Sequence, residues 1–149
     1  MKGDDVAFMR VALEEAGKAV QEGNPPFGAV VTRDGQIVGR GHNRTQSEHD
    51  PTAHGEVAAI RAACRALGST TLEGATVYTT CEPCLMCTGA LIAAKVARVV
   101  IGARWADAPG AFHPERGSLL GMAPHVRYPF EHVAGVLREE CARLYVEPA

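Results

Sequence analysis

The sequence predicts an α/β fold, a three-layer α-β-α sandwich built on a five-stranded mixed sheet. Three observations carry this. Helix-period and strand-like segments alternate in the order α-β-β-α-β-α-β-β-α, which puts helices on both faces of one sheet. The chain has 149 residues, 46% hydrophobic and 21% charged, enough for one ordinary folded domain with its own core. No repeat, linker or low-complexity stretch divides it, so residues 1–149 read as a single domain.

From Asp4 to Gln21, Val6, Met9, Leu13, Ala16 and Val20 recur at three- and four-residue steps, an amphipathic helix ended by Gly23 and Asn24. Phe27 to Thr32 is a compact apolar strand. Asp34-Gly35 is a hairpin signal, and Gln36 to His42 returns as the second strand. Asp50-Pro51 predicts a helix start with proline in the first helical position, running to Leu67 and Gly68. Thr76 to Thr80 is rich in β-branched and aromatic residues and predicts a third strand. Pro83 opens a helix through Ala94, and Ala97 to Gly102 is a strand apolar enough to be buried on both faces. Residues 104–124 show no period and predict a long functional loop with one short helix from Glu115 to Leu120. A short strand (Val126 to Tyr128) and a last helix (Glu131 to Tyr145) close the chain.

Five cysteines, two of them in a Cys-x-x-Cys, favour metal or redox chemistry over a disulfide framework. The formal net charge is −2, with no basic run, which weighs against a long nucleic acid as the main partner. No 18-residue apolar run predicts a membrane span, and MKGDDVAFMR has acidic residues where an export signal would be apolar. A cytoplasmic protein is expected.

Two predicted helix starts carry the chemistry: Pro51-Thr52-Ala53-His54-Gly55-Glu56 and Cys81-Glu82-Pro83-Cys84-Leu85-Met86-Cys87. Cys84 and Cys87, three apart, share a helix face in the first turn, where the helix dipole favours the thiolates that bind metal. With His54 they make a borderline-soft set suited to tetrahedral Zn²⁺, one ion per subunit. Three protein ligands leave one position for water, the mark of a catalytic rather than a structural zinc. Glu56, two residues after His54, is the candidate proton carrier. His-x-Glu or Cys-x-x-Cys alone says little. PTAHGE, a gap of 26 residues and then PCLMC form the signature of zinc deaminases.

The chain resembles the cytidine deaminase-like superfamily, nearest the branch of cytosine deaminase, guanine deaminase and the tRNA adenosine deaminases. PPFGAVV, GRGHN, DPTAHGEVAAIR, TVYTTCEPCLMCTGA and VARVVIGA carry the resemblance, over residues 25 to 103. It implies hydrolytic deamination and a homodimer. It further implies that Asn43 contacts the base, that Phe27 helps wall the pocket, and that the Glu82 backbone orients the leaving amine. Ala53, before His54, joins the expected substrate-binding set. In related enzymes the region after the fourth strand finishes the pocket, which makes Trp105 and Asp107 candidates and His113 a weaker one. Cys64, Cys81 and Cys141 read as small core residues, and His42 and His49 as structural or surface groups.

Substrate identity is less legible. GRGHN, HGE and MCTGA resemble cytosine deaminases, NPPFGAVV and TTCEPC guanine deaminases, and LREECARL the tRNA adenosine deaminases. DAPGAFHPERGSLLGM departs from the tRNA enzymes, and their basic C-terminal extension is not matched. The order expected is therefore a small nucleobase or nucleoside (cytosine- or guanine-type) first and tRNA second. A non-catalytic zinc-stabilised nucleotide-binding module is the remaining alternative.

Overall fold

The computed structural model describes residues 2–108 and 117–146. His113 and the expected helix start at Glu115 lie outside them. A five-stranded sheet in the order β2-β1-β3-β4-β5 forms the middle layer. β1 (Gly28–Arg33) and β2 (Gln36–His42) make the expected hairpin. Its turn places Asp34 at φ 53° and Gly35 at φ 74°, conformations that aspartate tolerates and glycine adopts freely. β3 (Thr76–Cys81) lies antiparallel to β1, whereas β4 (Arg98–Ala103) and β5 (Glu131–Ala134) continue in parallel.

Strand alternation distributes the core. Ala29, Val31, Val77, Val99 and Ile101 cluster with Ala59 and Ala63 of α3 (Gly55–Leu67) and Leu91 of α4 (Leu85–Ala93). Val30, Tyr78 and Val100 cluster on the other face with Met9 and Ala12 of α1 (Asp5–Gln21) and with Cys141 of α6 (Arg138–Arg143). The two clusters make the three layers. α3 lies so close to β2 that a Cβ on Gly39 would stand 2.6 Å from the Ala59 carbonyl oxygen.

Three sequence-based expectations are corrected. α3 begins at Gly55, not at Pro51. The Asp50 carboxylate accepts from the Thr52 N–H (2.8 Å) and hydroxyl (2.7 Å), and His49 is left-handed at φ 52°. The Asp-Pro pair therefore makes a turn, since a side chain able to cap a helix can close an Asx turn instead. α4 begins at Leu85, because residues 83–84 are extended and hydrogen-bond to the 118–119 segment. The last strand is β5, not Val126–Tyr128, and the last helix is only Arg138–Arg143. Gly135 at φ 94° and Leu137 at φ 52° interrupt the stretch read as one helix.

Two short helices complete the described chain. α2 (Thr45–Glu48) is held by the buried Asn24, whose Oδ1 accepts from the Gln46 and Ser47 N–H groups at 3.0 Å each. α5 (Leu119–Met122) is capped by Ser118, which accepts from the Gly121 N–H. Among the described residues no helix is long and apolar enough to cross a membrane.

Candidate active site

The corrected helix starts are where the site lies. His54 is the residue before α3 and Cys84 the residue before α4, both with extended backbone, and Cys87 is in the first turn of α4. The β3–α4 connection brings Cys84 and Cys87 to the carboxyl end of β3, the end of a strand where α/β proteins bind ligands. His54 Nδ1 lies 3.6 Å from Cys84 Sγ and 3.4 Å from Cys87 Sγ, and one donor atom from each residue falls within 4.8 Å of the others.

These distances test the metal. Zinc bonds of about 2.3 Å to sulfur and 2.0–2.1 Å to nitrogen at tetrahedral angles place N and S about 3.6 Å apart. The three side chains therefore fit a zinc ion. The Cys84 thiol is drawn down to about 4, chiefly by a hydrogen bond from Cys87 and with His54 helping against burial. Cys87 is pushed up because its single S–H has two acceptors in reach, Cys84 first and Glu56 as well, and because it is buried. Zinc binding would take both residues as thiolates, the form in which cysteine ligates metal.

Glu56 is buried beside this cluster. Burial pushes its carboxyl up, against hydrogen bonds from the Cys87 thiol and the Thr79 hydroxyl. The Thr79 hydroxyl lies 3.0 Å from Glu56 Oε1 and 2.9 Å from the Cys81 carbonyl oxygen, so its single hydrogen has two acceptors in reach. Nothing in the sequence marked Thr79, since it is one β-branched strand residue among several.

A cavity of about 480 Å³ opens in front of the cluster, within the usual range of small-molecule sites. Phe27, Asn43, His54, Glu56, Glu82 and Cys84 line it, so six candidate residues meet there. Cys87 is fully buried behind the lining. Thr45, Gln46 and His49 also line the cavity. Thr45 and Gln46 escaped the sequence reading because α2, which presents them, was not foreseen, and His49, read there as a structural or surface group, lines the cavity instead. Asn43 has a defined orientation: its Oδ1 accepts from the Thr45 N–H (2.9 Å) and hydroxyl (2.8 Å). A backbone N–H can only donate, so the atom facing it is the oxygen and the amide NH₂ is left for a ligand.

The remaining candidates sit elsewhere. Ala53 is buried and lines a neighbouring cleft of about 330 Å³ with Arg40, Arg44, Arg61, Arg65, Glu15 and Glu48. Asp107 is turned to Arg138 (2.6 Å) and to the Arg104 N–H (3.0 Å), which hold its carboxyl below the usual range despite desolvation. Trp105 donates its N–H to Glu82 Oε1 (2.9 Å) and its indole N–H to the Glu82 carbonyl (3.2 Å). Glu82 Oε2 accepts from the Leu120 N–H (3.0 Å). Its side chain therefore ties two chain segments to the turn that carries Cys84. His42 is buried between Glu15 (3.1 Å) and Glu22 (2.7 Å). Cys81 and Cys141 are buried core thiols, although Cys81 also touches the cavity.

A His/Cys/Cys cluster with a buried glutamate beside it is the arrangement a zinc-dependent deaminase needs. The chain belongs to the cytidine and deoxycytidylate deaminase family: residues 2–103 match its zinc-binding region. It is 42% identical over 142 residues to the tRNA-specific adenosine deaminase of Bacillus subtilis strain 168, covering 92% of this chain and 83% of that one. It is 44% identical over 105 residues to the guanine deaminase of the same organism, covering 70% and 67%. A solved structure from work on A-to-I editing by tRNA:A34 deaminases superposes with a TM-score of 0.79 and 36% identity, covering 93% of this chain and 98% of that one.

Proposed function

We propose that this enzyme deaminates an adenosine presented by tRNA, with His54, Cys84 and Cys87 as zinc ligands and Glu56 as the proton carrier. One observation carries the choice of substrate. The likeness to the Bacillus tRNA deaminase runs through 92% of the chain, whereas the likeness to the guanine deaminase spans 70%. This reverses the order expected from composition and motifs alone.

When bound, zinc supplies a water activated for attack near neutral pH. Glu56 takes one proton from that water and delivers it to the ring nitrogen next to the carbon attacked, then takes the second from the hydroxyl just added and hands it to the departing amine. A C–O bond forms, the C–N bond breaks, and adenosine plus water become inosine plus ammonia. Phe27 walls the base and the Asn43 amide donates to a ring acceptor. A base in an RNA loop reaches such a cavity by leaving its stack. Arg44 follows Asn43 in the chain, and with Arg40, Arg61 and Arg65 it outnumbers Glu15 and Glu48 in the neighbouring cleft, leaving an excess of positive charge for flanking phosphates although Arg40 and Arg44 are paired with Glu15 and Glu48.

A second reading, a free guanine-type base, is favoured by the 44% identity to the guanine deaminase. Incubation with an anticodon stem-loop RNA and, separately, with a panel of bases and nucleosides distinguishes the two. Inosine in the RNA is expected; ammonia released from free bases alone overturns the tRNA reading. A homodimer is part of the proposal, supported by the exposed apolar side chains Leu85, Met86 and Ile92 on α4. Light scattering showing a monomer at micromolar concentration contradicts it.

A further inference from the structure

One buried aromatic beyond α6 touches the site from behind. Tyr145 follows α6 by two residues and is 8% exposed. Its ring stacks on Phe27, with centroids 5.0 Å apart and planes at 29°. Its hydroxyl lies 2.9 Å from Thr80 Oγ1, which also accepts the Gly28 N–H at 3.1 Å. Tyr145 therefore meets the Phe27-Gly28 segment twice, once through the ring and once through Thr80. That segment serves the cavity in two ways. The Phe27 side chain lines it, and the Phe27 carbonyl accepts the Asn43 N–H at 2.9 Å, fixing the backbone of the residue whose amide meets the base.

We propose that Tyr145 is a positioning residue for substrate recognition: it sets the Phe27 wall, and through Phe27 the placement of Asn43, from the C-terminal end of the chain. The inference rests on the reading of this cavity as the substrate site. Two rings in an offset stack restrict each other, and a buried core transmits a displacement instead of absorbing it. Loss of the Tyr145 ring frees Phe27 to move into the cavity or away from it. Binding of the base weakens, while His54, Cys84, Cys87 and Glu56, carried by the starts of α3 and α4, keep their places.

The test uses full-length zinc-loaded enzyme and the substrate that the wild type turns over. Tyr145→Leu should raise KM roughly three- to tenfold, the range of an aromatic pair, with kcat within about twofold and one zinc per chain. Tyr145→Phe keeps the ring and should restore KM to near the wild-type value. Phe27→Leu should raise KM as well, and adding Tyr145→Leu to it should raise KM no further, because Tyr145 acts through Phe27. If Tyr145→Leu does not fold, Tyr145→Met, unbranched and better able to fill an irregular gap while still non-aromatic, takes its place. An unchanged KM in an active enzyme, additive effects in the double variant, or an equal fall in kcat overturns the inference alone. A wild type that turns over neither RNA nor any free purine overturns the functional reading and this inference with it.

Discussion

Glu56→Gln separates proton transfer from every other role of that position. The amide has the shape of the carboxylate, and its oxygen can accept the same Thr79 hydroxyl that lies 3.0 Å from Oε1. No cavity opens, and a buried ionisable group is replaced by a neutral one, so the fold loses nothing it depends on. What disappears is the ability to take and return protons. General acid–base catalysis contributes about 10²–10⁴-fold, and Glu56 serves more than one transfer, so kcat should fall by about 10³ or more. That is about 4 kcal/mol of barrier at 1.36 kcal/mol per decade. Ammonia or inosine release gives kcat, metal analysis gives zinc content and thermal unfolding gives stability. The expected variant is inactive, holds one zinc per chain and melts no lower than wild type. A variant that keeps zinc and more than a tenth of the wild-type kcat refutes the role assigned to Glu56. Loss of zinc shows instead that Glu56 supports the metal.

Asp5 is fully buried and takes both Arg98 Nη1 and Nη2 at 2.8 Å, with the Tyr78 hydroxyl also at 2.8 Å. Removing its charge with Asp5→Asn should cost about 3 kcal/mol, or roughly 6–12 °C in Tm. The hydrogen bond from Arg98, ahead of the other contacts and against burial, holds the Asp5 carboxyl below its ordinary range. Its contribution is therefore complete above the unfolded carboxylate value, about 3.9, and is lost as pH falls from there toward the lower folded value. Below about pH 4, stability measured in urea should fall more steeply with acid for wild type than for Asp5→Asn; parallel slopes would show that Asp5 is not linked. Gly39→Val places its Cβ against the Ala59 carbonyl, and a loss of about 1–3 kcal/mol by denaturant titration is expected; wild-type stability would mean that α3 and β2 can separate freely. Asn43→Ala removes the amide offered to the base and should raise KM about tenfold with zinc retained, the worth of one buried hydrogen bond; an unchanged KM removes Asn43 from recognition.

The chemistry of the site was legible because it depends on residue types at short spacings. His54 with Glu56, and Cys84 with Cys87, are local pairs, and the pattern that joins them is distinctive. The hairpin was equally plain, since Asp34-Gly35 is a strong local signal. The starts of α3 and α4 were misplaced by four and two residues because proline and aspartate serve turns and helix caps alike. The C-terminal strand, expected at Val126–Tyr128, was misplaced for another reason. β5 is an edge strand whose burial does not alternate, so it lacks the two-residue period of a half-buried strand. Non-local partners left no trace in the sequence. The Glu82 carboxylate tied to Trp105 and Leu120, Asn24 under α2, and Tyr145 behind Phe27 are contacts between distant segments that no spacing encodes. Asp107 shows the converse: a polar residue in the right region is turned to Arg138 instead of the cavity.

Zinc-edge X-ray absorption on carefully purified protein, together with elemental analysis, examines the metal cluster itself. One zinc per chain should be found, with two sulfurs at about 2.3 Å, one nitrogen at about 2.0–2.1 Å and a further light ligand. A chain without stoichiometric metal, or a shell that lacks the nitrogen of His54 or either sulfur, contradicts the account.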